Sequence, residues 1–289
     1  MTKKISFLIF KIIFFILKII EKIFRRDLLI YFKEFLEDNS YKNVFICEKK
    51  ISFFTPNFIT KWRVDTFYSK EPETLDWIKS FDNKSKIIFW DVGANIGLYS
   101  IYAAVKFEDI DVIAFEPSTS NLRILSRNIS INNLSGKIKI NQFPLINEKN
   151  KFLEMQEPKF IEGWSMNSFG KNLDFEGKTF VSENKYRIYG TSIDYLIENN
   201  ILKIPNYIKI DVDGIEHLIL KGGLNFLKDK QIKSISVELN ENFKEQYNEV
   251  MNIMKISKFK FKHKKHCAEF DNSVQFSKLY NFVFEKDKS

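Results

Sequence analysis

Two clusters in the sequence combine residue types and spacings that could do chemistry. The first is Asp91-Val-Gly93-Ala-Asn95-Ile-Gly97, set between an apolar run, KIIFW, and a helical one, LYSIYAAVKF. Glycines at a strand-to-helix turn let backbone approach a ligand closely, and the helix start offers free N–H groups. Glu116 ends the next apolar run, IDVIAFEP. A carboxylate there can accept both hydroxyls of a ribose, which implies adenosine recognition. A dinucleotide fingerprint needs a third glycine where Leu98 stands. The carboxylate of Asp91 would repel a pyrophosphate but suits the ammonium of S-adenosylmethionine.

The second cluster is Asp211-Val-Asp213-Gly214-Ile-Glu216. A spacing of two on a strand turns Asp211 and Asp213 to one side, with Glu216 in the first helical turn beyond. Three carboxylates at a strand's carboxyl end need water, a positively charged ligand or a divalent cation. One acid can face a sulfonium or amino group, and another can hold an acceptor hydroxyl and take its proton. Capping of a helix N-terminus is the alternative for Asp213 and Glu216. Glu238 ends the SISVEL run beside the same rim and is a further acceptor contact. His217 adjoins Glu216, but successive helical residues face about 100° apart. His263, His266 and Cys267 lie among lysines and read as the wet end of an edge strand, not as a metal site.

IIFWDVGANIGLYS, AFEPS, the paired Asn128 and Asn132, TSIDYLI and YIKIDVDGIEHLILKG together resemble the FkbM-type methyltransferases over about residues 65–285. The resemblance implies a class I methyltransferase fold: a Rossmann-like α/β sheet, mostly parallel, with an antiparallel last strand. It also implies S-adenosylmethionine as cofactor and a hydroxyl, often of a sugar, as acceptor. Carried onto this chain, Asp91, Gly93, Asn95 and Gly97 line the methionine part of the cofactor and Glu116 its ribose. Asp213 stands where the family commonly has a glutamate.

The elements that must position these residues follow from periodicity. Apolar runs at KIIFWDVG, IDVIAFEP, KIKINQFPL, YIKIDVDG and SISVEL alternate with helical stretches, which calls for a parallel sheet covered on both faces. Two final runs, FKFKHKK and LYNFVFEK, have no helical pattern between them and should pair antiparallel, with Phe259 and Phe261 inward. Residues 27–85 read as a few edge strands followed by a helix that starts near Pro72, and residues 86–289 as the catalytic domain. The stretch 147–190 is irregular. Its Trp164 and Asn167 suit a loop over a sugar ring, or equally an ordinary surface insertion.

Charge separates location from chemistry. The formal net charge is +8, yet residues 1–26 hold seven basic residues against Glu21 alone, leaving the rest nearly neutral. Lys and Arg number 45 together, nearly all of them lysine, whereas phosphate and guanine readers lean on arginine. Nucleic acid is therefore disfavoured as a partner. Lys4, Lys11, Lys18 and Arg25 recur every seven residues, one stripe on a helix whose remaining face is Ile, Phe and Leu. Spanning a bilayer would place Lys11 and Lys18 in hydrocarbon at about 3 kcal/mol each, roughly cancelling the apolar gain. A helix lying in the plane of an anionic surface keeps every lysine wet. No small-residue cleavage site follows, and two cysteines make no disulfide framework. The expectation is a cytoplasmic enzyme, peripheral on the inner face of the membrane through residues 1–26. It methylates a sugar or glycan hydroxyl with S-adenosylmethionine, with a divalent metal as an optional partner of the acids. An NAD-dependent oxidoreductase and a noncatalytic membrane-docked module are the rivals.

Overall fold

The computed structural model describes residues 1–287. Two helices, α1 (Thr2–Phe24) and α2 (Leu28–Asp38), lead into a hairpin of β1 (Tyr41–Ile46) and β2 (Lys49–Phe54). Short helices α3 (Phe58–Asp65) and α4 (Pro72–Lys79) follow. The Asn57 side chain and Thr60 form a capping box at the start of α3, and Pro72 sits in the first turn of α4. Residues 27–85 thus contain three helices and one hairpin instead of several edge strands. TKWRVDTF has the alternation of a strand, but the cap at Asn57 commits it to helix.

The alternating part builds a seven-stranded sheet. Its members are β3 (Ile87–Val92), β4 (Ile110–Phe115) and β5 (Ile138–Asn141), with α5 (Leu98–Lys106) and α6 (Thr119–Ile131) between them. After β5 come β6 (Lys151–Glu157), β7 (Ser168–Phe169), β8 (Asn184–Gly190) and α7 (Ile193–Glu198). The sheet resumes with β9 (Tyr207–Ile210), α8 (Glu216–Lys221), β10 (Ser234–Asn240), α9 (Lys244–Ile256), β11 (Lys260–Lys265) and β12 (Leu279–Glu285). Strand order is β11-β12-β10-β9-β3-β4-β5, with β12 antiparallel to both its neighbours and the strands from β10 to β5 parallel. This is the expected mostly parallel sheet with an antiparallel last strand. Phe89 and Trp90 in β3 are wholly buried on opposite faces, each within its own apolar cluster, because helices cover the sheet on both sides.

Three local readings change. Residues 147–190 are not simply irregular: β6, β7 and β8 form a separate antiparallel sheet in the order β7-β6-β8. Phe259, just before β11, is buried, whereas Phe261 within it is half exposed, and a bulge follows between Phe261 and His263. His266 bonds the Leu279 carbonyl and Asp271, and Cys267 is buried instead of wet.

The paired asparagines of α6 fasten the hairpin to the sheet. Asn128 accepts from Phe54 N at 2.7 Å and donates to the Ile96 carbonyl at 2.9 Å. Asn132 exchanges two bonds with the Ser52 backbone. By contrast α1 has no buried residue, and its half-buried apolar positions are Ile13, Leu17 and Ile20, with α2 as its main neighbour. Among the described residues no helix is long and apolar enough to cross a membrane.

Candidate active site

A cavity of about 430 Å³ opens at the carboxyl ends of β3, β4, β9 and β10, where a parallel sheet leaves a crevice. Gly93, Asn95, Glu116, Asp211, Asp213 and Glu238 all line it. The two sequence clusters meet because Gly93 is a glycine. Its φ is +86°, and a Cβ there would stand 1.8 Å from the Asp211 carbonyl oxygen. The β3 turn therefore lies flat against the end of β9.

Glu116 is buried, with one carboxylate oxygen accepting from Asn95 N at 2.7 Å and the other from Ser118 N at 2.9 Å. Burial outweighs these bonds and pushes its carboxyl up to about 7. Each oxygen keeps a lone pair for a further donor, such as a ribose hydroxyl. The Asn95 side chain does not point to a ligand through its amide nitrogen. It donates to the Trp164 carbonyl at 2.9 Å, as does Asn121 at 3.1 Å, which pins the 161–167 loop over the turn. Trp164 and Asn167 consequently line the cavity.

The acids separate into two groups. β9 ends at Ile210, so Asp211 and Asp213 lie just beyond the strand, Asp213 at a φ of 62°. Even so, the carboxylate oxygens of Asp211, Asp213 and Glu238 all lie within 4.8 Å of one another, a spacing that could hold a cation. Burial and the neighbouring Asp211 charge push Asp213 up to about 6, while a bond from Met166 N at 2.6 Å pulls the other way. Burial, with Asp211 and Asp213 adding to it, raises Glu238 well above the usual carboxylate range.

Glu216 turns away from this cavity. Its buried carboxylate accepts from Val212 N, Gly214 N and the Gln246 side chain, closing the turn that carries the other two acids. Of the two sequence expectations for Glu216, a catalytic acid or a cap, this arrangement is that of the cap, bonding its own turn and the Gln246 amide. Asp91 and Gly97 also lie outside the cavity lining. Asp91 is fully buried behind the turn, with one oxygen accepting from Ser100 at 2.6 Å and the other without a partner. Gly97 gives α5 its start against Leu125, which a Cβ would meet at 2.5 Å. His217 is buried against Phe243 and does not reach the cavity either.

Several contributors were not singled out from sequence. Lys209 in β9 is buried, neighbours Asp91 across the β3–β9 pair and donates to Asp211 at 2.6 Å. Burial would lower its pKa, but Asp211, Asp91 and Glu71 together hold it above the ordinary lysine value. A lysine in the otherwise apolar YIKI run was the available signal. Arg63 and Lys70 reach the cavity wall from the segment around α3. Lys70 pairs with Glu71, whereas Arg63 bonds the Gly163 carbonyl through Nε and has no carboxylate partner among the described residues. Nothing local in the sequence marks these two.

Residues 91–263 match the family described as "Methyltransferase FkbM domain". Among curated proteins, Methyltransferase sdnD of Sordaria araneosa is 26% identical over 151 residues, 46% of this chain and 58% of that protein. The hexuronic acid methyltransferase AglP of Haloferax volcanii is 26% identical over 161 residues, 53% of this chain and 56% of that one. The matched part therefore spans less than two thirds of either relative. Among solved structures, an FkbM methyltransferase from Methylobacillus flagellatus aligns with a TM-score of 0.49 at 16% identity, covering 78% of this chain and 52% of that chain.

Proposed function

Because the chain belongs to the FkbM methyltransferase family, we propose that it transfers a methyl group from S-adenosylmethionine to a hydroxyl of a sugar or glycan at a membrane surface. One observation carries the reading: the Gly93 turn, Glu116 and the acids Asp211, Asp213 and Glu238 converge on a single cavity. The residues fit the cofactor. Glu116 keeps acceptor capacity for a ribose, and Arg63 offers a guanidinium to a carboxylate.

When bound, the cofactor supplies an electrophilic methyl on a sulfonium. Asp211, ion-paired to Lys209, lines the wall where that positive end would lie. Asp213 is the general base: it would take the proton of the acceptor hydroxyl and release it to water. Its raised pKa suits that task near neutral pH. Glu238, on the same wall as Asp211 and Asp213, is placed to contact a further hydroxyl of the acceptor. Positioning supplies most of the rate, since methyl transfer needs little covalent help. The ring faces of Trp62 and Trp164 and the amide of Asn167 suit a sugar, and the hexuronic acid relative supports that acceptor class.

The membrane part of the reading rests on α1, with Ile5, Ile9, Ile12, Ile16 and Ile23 exposed on one face and the lysine stripe opposite. The chain then lies peripherally on the inner face of an anionic bilayer.

The test is incubation of the full chain with methyl-labelled S-adenosylmethionine and a membrane glycolipid extract. Label should enter a glycan, and Asp213→Asn should stop it. Binding of S-adenosylhomocysteine without transfer to any fraction would count against an O-methyltransferase.

A further inference from the structure

The α1–α2 hairpin is joined to the cavity mouth by a chain of polar contacts. Glu37, in the last turn of α2, accepts from Arg123 at 3.0 Å and also binds Arg127. Arg123 reaches on to Glu162 at 2.9 Å, and the Asn57 side chain at the start of α3 holds Glu162 through its carbonyl and its carboxylate at 3.0 and 3.2 Å. These segments leave large apolar side chains uncovered: Phe35 and Leu36 on α2, Phe58 and Trp62 on α3, Phe160 and Ile161 before the loop. Phe58 is 80% exposed, and Trp62, 41% exposed, also lines the cavity. An apolar rim of this kind beside a ligand cavity marks a docking face. The basic stripe of α1 supplies the charge that complements an anionic surface.

We propose that this rim seats on the same anionic bilayer as α1, so that the cavity opens toward lipid and receives an acceptor presented by the membrane, a lipid-linked sugar. The seat rests on the membrane-surface reading above and adds to it an orientation.

Tryptophan fluorescence tests the seat, because Trp77 and Trp90 are buried while Trp62 and Trp164 line the cavity, and replacing Trp62 isolates its signal. The full chain is mixed with vesicles of phosphatidylglycerol and brominated phosphatidylcholine, and co-sedimentation is followed in parallel. Quenching is expected in the native chain and should fall at least twofold in Trp62→Phe, with co-sedimentation unchanged. A double variant, Phe58→Ser with Phe160→Ser, should bind the vesicles several-fold more weakly while keeping its S-adenosylhomocysteine affinity. Co-sedimentation with no quenching at Trp62 overturns the seat and leaves α1 as an anchor. Absence of co-sedimentation overturns both.

Discussion

The α1–α2 hairpin and the sheet domain spend the same residue types in opposite ways. In α1 a run of Ile and Phe stays uncovered and the lysines are wet, with no residue buried. In the sheet, Phe89, Trp90, Ile208 and Ile235 are wholly enclosed, and even a lysine, Lys209, is buried with its charges paired. Burial of apolar area is worth about 25 cal/mol per Å², so the domain has already collected that gain and the hairpin has not. On the proposed reading, the difference separates a membrane contact from the chemistry. Changes in one region should leave the other's property intact, and each experiment below tries to break that independence.

The largest effect belongs to the domain. Asp213→Asn should lower turnover by about 10²–10⁴-fold, the usual reach of general base catalysis, without moving the melting temperature or vesicle binding. Loss of vesicle binding in that variant would dissolve the separation. Next comes Glu216→Ala, which leaves the N–H groups of Val212 and Gly214 and the Gln246 amide without their acceptor. It should cost about 3 kcal/mol in denaturant unfolding. An equally large loss of activity with unchanged stability would instead return Glu216 to the catalytic set.

The hairpin's turn follows. Lys11→Gln with Lys18→Gln should weaken binding to anionic vesicles by about 2 kcal/mol, some 30-fold, at roughly 1 kcal/mol per basic residue. Affinity for S-adenosylhomocysteine should stay at the native value. The smallest effect is a shift along the pH axis. A base must be deprotonated to act, so kcat/KM should rise with pH through about 6 and then level off. Asp211 raises the Asp213 value by like-charge repulsion, so Asp211→Asn should move this limb to lower pH by up to about one unit. A limb that stays in place would assign it to another group.

Much of this was legible in the residues. Alternating apolar runs announced the parallel sheet because strands buried on both faces carry no polar alternation. The turn at Gly93 and the acids after Ile210 were recognisable as sites because neither pattern suits a core. What stayed hidden has physical causes. The β6–β8 sheet is short and half exposed, so its side chains carry little period. TKWRVDTF is helical because of a cap that lies outside the apolar pattern. Asp211 and Asp213 share a cavity, although the reason is a left-handed residue beyond the strand and not strand alternation. Arg63 and Lys70 come from a segment far from the glycine turn in sequence, and only tertiary contact brings them near. Glu216 stayed open between two roles because a helix-start acid looks the same whether it faces a ligand or its own turn.

The contact at Gly93 has a bearing on how this chain can change. Since a Cβ at that position would overlap the carbonyl of Asp211, the two motifs behave as one machined joint. A library that diversifies residues 91–97 should return folded members almost only where position 93 stays glycine, whatever side chains stand at 211–214, because the contact is with backbone.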